Sequence, residues 1–249
     1  MKIAIFNSSP RTDRGNTHAI ASEFMAGARD AGAEVENVFL ARCAIKPCQG
    51  CFVCWKVTPG VCCIKDDIAP LLEKVRNSDV VVFATPLYVD NVSGIMKLFM
   101  DRLIPLADPH FSKDEHGECR HPMRNPQHIP KIVVISNSGF PEQSHFQVLH
   151  LLFSRIAANL HSEVVGEIYR GAGEMFSSRN PLVSLLLRPY RKLLRQAGRE
   201  LVQTGRISNE TTAALEKPLL ADAHYIRNAN KNFDKALRKI DTSHGPSVK

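Results

Sequence analysis

Five cysteines within residues 45–67 have the clearest capacity for chemistry in this sequence of 249 residues. In chain order they are Cys48, Cys51, Cys54, Cys62 and Cys63. The first three follow one another at every third position, so their thiols can converge on one point, as the ligands of an iron–sulfur cluster must. A cysteine that only fills a core is an isolated small hydrophobe. The density therefore indicates metal or redox chemistry rather than packing.

The thiol pattern leaves three alternatives open. Three closely spaced thiols with a fourth nearby favour an iron–sulfur cluster. Zinc also takes four thiolates, although its sites more often pair two separated C-x2-C segments. Redox-active or unliganded thiols are the third alternative. The two remaining cysteines, Cys43 and Cys119, are predicted to be ordinary buried or surface thiols.

Length and composition predict a soluble globular protein. With 44% hydrophobic residues, the chain can bury one large core or a domain plus an extension. The first residues form a short apolar run that ends at the polar segment Asn7-Ser8-Ser9, which predicts neither a signal peptide nor a membrane span. We expect a cytoplasmic location, where clustered cysteines favour metal or redox chemistry over disulfides.

The net charge of +7 raises the question of a nucleic-acid partner. Residues 1–165 carry 17 positive and 17 negative side chains, whereas residues 166–249 carry 15 and 8. All the excess therefore lies in the last third, where neither aromatic interleaving nor a nucleic-acid-binding motif accompanies it. We expect a solvated basic face, with no nucleic-acid and no membrane partner.

Five short apolar segments are predicted to be β-strands. They comprise residues 2–6, 34–40, 79–84, 131–136 and 163–169. Helical patterns separate them, and this alternation predicts an α/β fold with a doubly wound five-stranded parallel sheet. Ligands of such sheets bind beyond the carboxyl ends of the strands. The polar loops of residues 8–17 and 85–94 follow the first and third strands, so we expect these loops to meet there.

The loop of residues 8–17 has the composition of an anion site. Its hydroxyls and the amino terminus of the following helix offer hydrogen-bond donors and a positive dipole end to a phosphate. Neither G-x-G-x-x-G nor G-x4-G-K-[ST] is present, which argues against a dinucleotide fingerprint and a nucleoside-triphosphate loop. A helix cap followed by an ordinary turn is the alternative.

Beyond residue 170 the sequence predicts helices outside the sheet. We predict a domain of residues 1–170, a helical extension of residues 171–240 and a flexible tail of residues 241–249. In the extension, apolar positions recur at helical spacing among arginines and lysines. Such modest amphipathic helices cannot form a core alone, so we expect them to pack on the sheet domain or on a neighbouring subunit.

Three sequence elements together resemble the flavodoxin-like NAD(P)H-dependent FMN reductases, and among them the iron–sulfur flavoprotein branch. The elements are Ser9-Pro-Arg…Gly15-Asn-Thr, Thr85-Pro-Leu-Tyr88 leading to Lys97…Asp101-Arg102, and the cysteine run followed by Asp66-Asp67. The resemblance covers about residues 1–170. It implies a flavodoxin-like strand order of 2-1-3-4-5, FMN as cofactor and NAD(P)H as a candidate electron donor.

The resemblance also implies cofactor contacts from three loops. Contacts to the FMN phosphate fall to Ser9, Arg11, Asn16 and Thr17. Ring contacts fall to Pro86, Leu87, Tyr88 and Asn91, with Asn137, Ser138 and Gly139 flanking the ring. Three residues separate Arg11 from Gly15, where two are common in the family, and the extra residue would let the guanidinium swing outward. No catalytic side chain is predicted, because the chemistry belongs to the flavin.

For the metal, the resemblance implies the ligands Cys48, Cys51, Cys54 and Cys62, with Cys63 as the competing fourth ligand. The predicted function is an FMN-dependent oxidoreductase that passes electrons from NAD(P)H or a reduced protein donor through FMN, and through a 4Fe–4S cluster where one is bound, to an unidentified acceptor. The alternatives are a flavoprotein electron carrier, an FMN or quinone reductase without a cluster, and a zinc-binding scaffold. The expected assemblies are a homodimer or homotetramer and a complex with a ferredoxin-like redox partner.

Overall fold

A computed structural model describes residues 1–178 and 180–243, with side chains as far as residue 238. The strands are β1 (Lys2–Asn7), β2 (Glu34–Phe39), β3 (Val80–Tyr88), β4 (Asn91–Val92), β5 (Ser112–Lys113), β6 (Cys119–Arg120), β7 (Lys131–Asn137) and β8 (Val164–Arg170). Five of them form a parallel sheet in the order β2-β1-β3-β7-β8. This arrangement confirms the predicted α/β class and the flavodoxin-like order of the five principal strands.

Helices connect these strands and continue beyond the last one. In the described part of the chain they are α1 (Asn16–Asp30), α2 (Val53–Lys56), α3 (Ile68–Arg76), α4 (Gly94–Asp101), α5 (Gln147–Asn159), α6 (Pro181–Leu186), α7 (Arg188–Thr204), α8 (Asn209–Glu216) and α9 (Asp222–Ser243). Short 3-10 helices cover Thr12–Arg14, Leu40–Arg42, Ile104–Leu106, Gln143–Phe146 and Gly173–Ser177. Among the described residues, no helix has the length and apolar character needed to cross a membrane.

Continuous apolar runs build the central strands. Ile5 of β1 lies opposite Val82 of β3, which lies opposite Val133 of β7, and all three side chains are fully buried. Parallel strands that are covered on both faces need such runs rather than alternating polar and apolar residues. On one face, the Phe6 ring stacks on the Phe99 ring of α4 with centroids 4.4 Å apart. The sheet and its helices therefore share a core that holds the strand ends in place.

The third strand is longer than predicted. We expected it to end at Ala84 and residues 85–94 to form a loop, but β3 continues to Tyr88. Thr85 stays extended because β7 still runs beside it, where Thr85 pairs with Ser136. The segment that resembles the ring-binding loop of the family is therefore the end of a strand and the start of a hairpin.

A tight hairpin joins β3 to β4. Its two turn residues, Val89 and Asp90, have φ angles of +48° and +53°, the signs that a type I′ turn requires. Valine is unusual there, because a β-branched side chain crowds the backbone at positive φ. Val89 is also 99% exposed, so burial does not compensate for the strain.

The first part of the helical extension packs on the sheet domain through α7 and α1. A Cβ at Gly27 would lie 1.9 Å from the Arg195 carbonyl oxygen, and a Cβ at Gly198 would lie 2.1 Å from the Phe24 carbonyl oxygen. Only glycine permits this close approach on both helices. Beside the contact, Arg195 Nε lies 2.7 Å from Glu23 Oε2. Helix α7 therefore belongs to the same packed body as the sheet.

The chain forms two compact units, and the boundary between them lies after residue 216 rather than at the predicted residue 170. One unit comprises Met1–Glu216 and the other comprises Lys217–Lys249. The second unit, taken by itself, contains α9, whose Phe233 and Leu237 side chains are exposed. Of the predicted flexible tail, residues 241–243 form the end of α9 and residues 244–249 lie outside the described residues.

Candidate functional site

Three strand-end segments meet at the carboxyl edge of the sheet. After β1, the Ser8 amide donates a hydrogen bond to the Ala84 carbonyl of β3 at 2.8 Å. The hydroxyl oxygens of Ser8 and Ser93 lie 2.8 Å apart. At the start of α1, Thr17 Oγ1 donates to Asn137 Oδ1 at 2.7 Å. The segments after β1, β3 and β7 therefore converge, as the sequence predicts.

The loop between β1 and α1 is built closely around the amino terminus of α1. A Cβ at Gly15 would lie 2.0 Å from Ser9 Oγ, so glycine is needed for the buried hydroxyl to lie against this backbone. Helix α1 begins at Asn16 with no side-chain cap and no acidic residue in its first turn. Its first amides therefore have no intrahelical acceptor and present the positive end of the helix dipole.

Two asparagines in this region have buried polar atoms without partners. Asn16 is 5% exposed, and its Oδ1 has no hydrogen-bond partner among the residues described. The same holds for Nδ2 of Asn7 at the end of β1. Buried polar atoms are normally paired, so these atoms suit a site that a polar ligand completes. Asn7 Nδ2, the first-turn amides of α1 and the Ser9 hydroxyl are donors that fit the phosphate of FMN. Asn16 Oδ1 can only accept a hydrogen bond, and the Thr17 hydroxyl already donates to Asn137.

Arg11 lies outside this buried group, because the residue is exposed. The loop changes direction at Thr12, which has a φ angle of +50°. Arg42 holds the turn, with Nη2 donating to Asp13 Oδ1 at 3.0 Å. The Thr12 hydroxyl, with a smaller contribution from Arg42, lowers the pKa of Asp13. The loop, which has one residue more between Arg11 and Gly15 than is common in the family, thus turns toward the solvent at this point.

The predicted ring-contact residues share one hairpin. Pro86 is buried, Leu87 is half-buried and Tyr88 is 49% exposed, so the strand runs from the core to the surface within three residues. Asn91 is exposed, and its Oδ1 accepts a hydrogen bond from the Val92 amide at 2.8 Å. The hairpin thus presents an apolar surface beside the segment that follows β1.

The third predicted segment is supported from the end of β8. Asn137 and Ser138 are buried and Gly139 is exposed. A Cβ at Gly173 would lie 2.7 Å from Asn137 Nδ2, and the Gly173 amide donates to the Ser138 carbonyl at 2.8 Å. We did not predict this role of Gly173. The available signal was its place in the Gly-Ala-Gly turn directly after a predicted strand.

The cysteine loop lies between β2 and α3. One small cavity in it is lined by all four cysteines that the resemblance implies as ligands, namely Cys48, Cys51, Cys54 and Cys62. Cys63 is not in this lining, and its Sγ lies 3.8 Å from Cys51 Sγ. Within residues 1–178 and 180–243, no group of three or more His, Cys, Asp or Glu side chains is arranged to hold a metal ion. The four cysteines thus border one cavity without forming a compact ligand group among the described residues, and only the chemistry of their thiols fits a thiolate-bound metal centre.

Comparison with known proteins identifies the family. A family model described as NADPH-dependent FMN reductase matches residues 1–123. Residues 1–123 thus carry the similarity to this family. Two curated relatives are iron–sulfur flavoproteins. That of Methanocaldococcus jannaschii is 35% identical over 106 residues, which are 43% of this chain and 53% of the relative.

The second relative, an iron–sulfur flavoprotein of Archaeoglobus fulgidus, is 38% identical over 102 residues, which are 41% of this chain and 48% of the relative. The chain thus spans about half the length of these curated relatives. These matches confirm the predicted resemblance to the FMN reductase family and its iron–sulfur flavoprotein branch.

Solved structures share the fold of this chain. An FMN-dependent NADH-azoreductase from Bacillus anthracis in complex with FMN has a TM-score of 0.60 and 16% identity, over 81% of this chain and 99% of that chain. An NAD(P)H:quinone oxidoreductase from Methanothermobacter marburgensis has a TM-score of 0.59 and 17% identity, over 81% of this chain and 96% of that chain. The similarity supports the fold assignment independently of the motifs.

A buried arginine at the end of α4 anchors the cysteine loop. The side chains of Arg102 and Asp66 are each 1% exposed, and Arg102 Nη1 lies 2.7 Å from Asp66 Oδ2. Nη1 also donates to the Lys46 carbonyl at 2.6 Å, and Nη2 donates to Cys62 Sγ at 3.3 Å. One guanidinium therefore ties both sides of the loop to a core helix. The sequence places Arg102 in a family motif but does not reveal this role.

Neighbouring groups shift the pKa values of three thiols in different directions. The Val53 amide, followed by the Cys63 thiol, lowers the pKa of Cys51. Burial raises the pKa of Cys54, and the hydrogen bond with Cys51 raises the pKa of Cys63. Of these three, Cys51 therefore ionises most readily.

Asp66 stays ionised to a lower pH than an ordinary carboxyl group. Burial alone would raise its pKa, but hydrogen bonds from Arg102 and from the Lys46 and Ile68 amides outweigh burial and lower it. The unfolded chain has an aspartate pKa near ~3.9. Because the folded pKa lies below that value, this stabilisation is present above about pH 4 and is lost as the pH falls through the folded pKa.

We expect Asp66→Asn to lower the free energy of unfolding by about 3 kcal/mol at neutral pH, because the buried Arg102 charge loses its partner. The variant should also lose the acid sensitivity that protonation of Asp66 causes below about pH 4. Urea denaturation at neutral pH and at about pH 2 to 3 measures both quantities.

Asp67→Asn is the matched control. Asp67 is exposed, and its Oδ2 accepts a hydrogen bond from the Ala44 amide at 2.7 Å. We expect a loss below about 1 kcal/mol in this variant. Equal losses in the two variants would contradict the anchoring role of the buried ion pair, as would an unchanged acid response in Asp66→Asn.

Proposed function

We propose that this protein is an FMN-dependent oxidoreductase that takes electrons from NAD(P)H or a reduced protein donor and passes them to a separate acceptor. The observation that carries the proposal is the convergence of three strand-end segments at the uncapped start of α1, where the Asn7 Nδ2 donor is buried and unpaired among the described residues. The family match over residues 1–123 supports the reaction class. When bound, FMN exchanges hydride with a nicotinamide and single electrons with one-electron partners.

Ser9, Asn16 and Thr17 would bind the phosphate of FMN. Ser9 would donate through its hydroxyl, and Asn16 and Thr17 through their backbone amides. All three residues are buried, so water competes little for these donors. The first-turn amides and the positive dipole end of α1 favour a dianion there. No acidic side chain in the first turn of α1 opposes it. Arg11 is exposed, and its guanidinium would add long-range attraction rather than a fixed contact.

Pro86, Leu87 and Asn137 would orient the flavin ring. Pro86 and Asn137 pair across β3 and β7 and are both buried, so the sheet fixes their positions. Tyr88 and Asn91 would cover the more exposed side of the same hairpin. These residues bind the ring, orient it and exclude water. Proton transfer is not assigned to any side chain.

We expect Thr17→Val to weaken FMN binding about tenfold. The substitution removes the hydroxyl that joins the first and third segments through Asn137 at 2.7 Å, and a buried hydrogen bond contributes about 1 to 1.5 kcal/mol. Titration of the flavin-free chain with FMN, followed by the quenching of flavin fluorescence, measures the dissociation constant.

Thr12→Val is the matched control for this substitution. The Thr12 hydroxyl donates to Asp13 in the exposed part of the same loop, so we expect a change below about twofold. Equal weakening by both substitutions, or a wild-type chain that binds no FMN, would contradict the pocket. Stopped-flow reduction of the bound flavin by NADH or NADPH then separates an oxidoreductase from a carrier that accepts electrons only from proteins.

We further propose that the cysteine loop holds a 4Fe–4S cluster. The ligands would be Cys48, Cys51, Cys54 and Cys62, which line one cavity. Arg102 Nη2 lies 3.3 Å from Cys62 Sγ, and its charge would offset part of the negative charge of the thiolates. The names of the curated relatives agree with this assignment. A cluster of this kind carries single electrons.

We expect Cys62→Ser to reduce cluster incorporation by about tenfold or more, and Cys63→Ser to retain it, because Cys62 lines the cavity and Cys63 does not. Iron and sulfide content and visible absorption are measured after anaerobic reconstitution with ferrous iron and sulfide. The reverse result would move the fourth ligand to Cys63. A wild-type chain that takes up zinc but no iron and sulfide would overturn the cluster.

We also propose that a second copy of the chain covers an apolar surface beside the ring-contact hairpin. This hairpin patch consists of Val89, Phe140 and Val148, which are 99%, 59% and 46% exposed. His145 connects Phe140 to the hairpin turn. Its ring stacks on the Phe140 ring with centroids 4.4 Å apart, and its Nδ1 lies 3.9 Å from Oδ1 of Asp90, the neighbour of Val89. Exposed apolar patches mark interaction sites. Backbone strain such as that at Val89 is retained where function requires it.

We expect Val89→Asn to weaken self-association and to stabilise the isolated chain by about 1 kcal/mol, because asparagine is polar and tolerates positive φ. Sedimentation velocity measures the assembly and thermal unfolding measures the stability. Val61→Asn is the control, since Val61 is 59% exposed in the cysteine loop. A wild-type chain that stays monomeric at every concentration, or an unchanged assembly in Val89→Asn, would contradict the hairpin patch.

A further inference from the structure

Cys51 and Cys63 form a close pair of exposed thiols. Their sulfur atoms lie 3.8 Å apart, and neither cysteine is in a disulfide. Both residues are exposed to solvent. The pair differs from the other thiols of the loop, because Cys63 lies outside the cavity lining that Cys51 shares with the other proposed ligands. The proposed cluster therefore leaves Cys63 without a function.

The local backbone lets this pair close further. A disulfide requires a sulfur–sulfur distance of about 2.05 Å, so the two sulfur atoms must approach by less than about 2 Å. Cys51 lies between Gly50 and Phe52, whose φ angles are +62° and +55°. Phe52 at positive φ is a strained position. Cys63 lies in an irregular segment between α2 and α3. No strand pairing within the described chain has to break for the sulfur atoms to meet.

We propose that Cys51 and Cys63 are a redox-active dithiol that small-molecule disulfides convert to an intramolecular disulfide. In the first step, the Cys51 thiolate attacks one sulfur of the reagent, forms a mixed disulfide and releases one thiolate. In the second step, the Cys63 thiolate attacks the Cys51 sulfur and releases the second thiolate. The two cysteines are oxidised by two electrons, and the reagent disulfide is reduced to two thiols.

The same reaction would control metal binding at the loop. Cys51 is one of the four proposed cluster ligands, so a Cys51–Cys63 disulfide and the cluster exclude each other. This consequence rests on the proposed cluster, whereas the dithiol itself does not. Oxidation would therefore hold Cys51 of the metal-free loop in a reversible disulfide and protect its thiol from irreversible oxidation.

A shared zinc ion is the competing explanation of the sulfur separation. Two thiolates on one tetrahedral zinc, with Zn–S bonds of about 2.3 Å, are also separated by about 3.8 Å. Zinc protects its thiolate ligands from exchange and is removed by a chelator. The experiment therefore starts from the full chain after reduction and chelation under anaerobic conditions.

Trypsin provides a direct readout of the pair. Cleavage after Arg42, Lys56 and Lys65 places Cys51 in the peptide of residues 43–56 and Cys63 in the peptide of residues 57–65. A disulfide between them joins the two peptides. The chain is incubated with glutathione disulfide, the remaining thiols are alkylated, and the digest is analysed by mass spectrometry. We expect the joined peptides, with fragment ions that assign the link to these two cysteines.

Three serine variants test the assignment. Cys51→Ser and Cys63→Ser should each reduce the joined peptides at least about tenfold, whereas Cys48→Ser should not, because Cys48 is equally exposed but unpaired by this contact. In Cys63→Ser, a glutathione adduct should accumulate on Cys51. A link that maps to another cysteine, or that persists in Cys63→Ser, would overturn the proposal. Far-ultraviolet circular dichroism confirms that each variant is folded.

A second measurement separates this proposal from the cluster. The oxidised chain should incorporate iron and sulfide only after a dithiol reductant has restored the thiols. If the disulfide forms but the reduced chain never incorporates iron and sulfide, the dithiol stands and the cluster fails. If the oxidised chain incorporates a full cluster while the disulfide persists, the proposed control of metal binding is overturned. If glutathione disulfide produces no joined peptides, the dithiol itself is overturned.

Discussion

A parallel sheet brings the carboxyl ends of all its strands to one edge, and the candidate site depends on this constraint. The segments after β1, β3 and β7 arise from distant parts of the sequence, yet the order of the strands places them side by side. Hydrogen bonds such as that from Thr17 to Asn137 then connect them. The cysteine loop follows β2, so it leaves the sheet from the same edge. The strand order thus places the proposed cofactor pocket and the cysteine loop at the same edge of the sheet.

A buried charge secures the cysteine loop at this edge. A loop of mostly exposed residues cannot hold itself in place by hydrophobic packing, and a guanidinium in the core is costly unless it is fully paired. Arg102 secures the loop through its two terminal nitrogens, because it pairs with Asp66 and donates to the loop at the Lys46 carbonyl and Cys62 Sγ. Its Nε is buried without a partner among the described residues. The thiols can therefore be exposed for chemistry while the loop that carries them is fixed to the core.

The sequence predicts most of the fold because apolar runs and polar loops are local signals. It also predicts that the segment after β1 meets the segment after β3, as the contact between Ser8 and Ala84 shows. The extension of β3 is not predictable in this way, since Thr85 stays extended only because β7 lies beside it. The contact between Arg102 and Asp66 joins residues 36 positions apart, so no local pattern reports it. Periodicity and composition describe neighbours along the chain, whereas these features depend on neighbours in space.

Helix α1 presents its first turn to the proposed phosphate and, further along, presses Gly27 against the backbone of α7 at Arg195. An α-helix is stiff over this length, so a shift at one end moves the other. The packing of α7 against α1 therefore fixes the direction in which the first-turn amides of α1 point. Substitutions in α7 would consequently alter the proposed phosphate site through the position of α1, without any contact between α7 and the ligand.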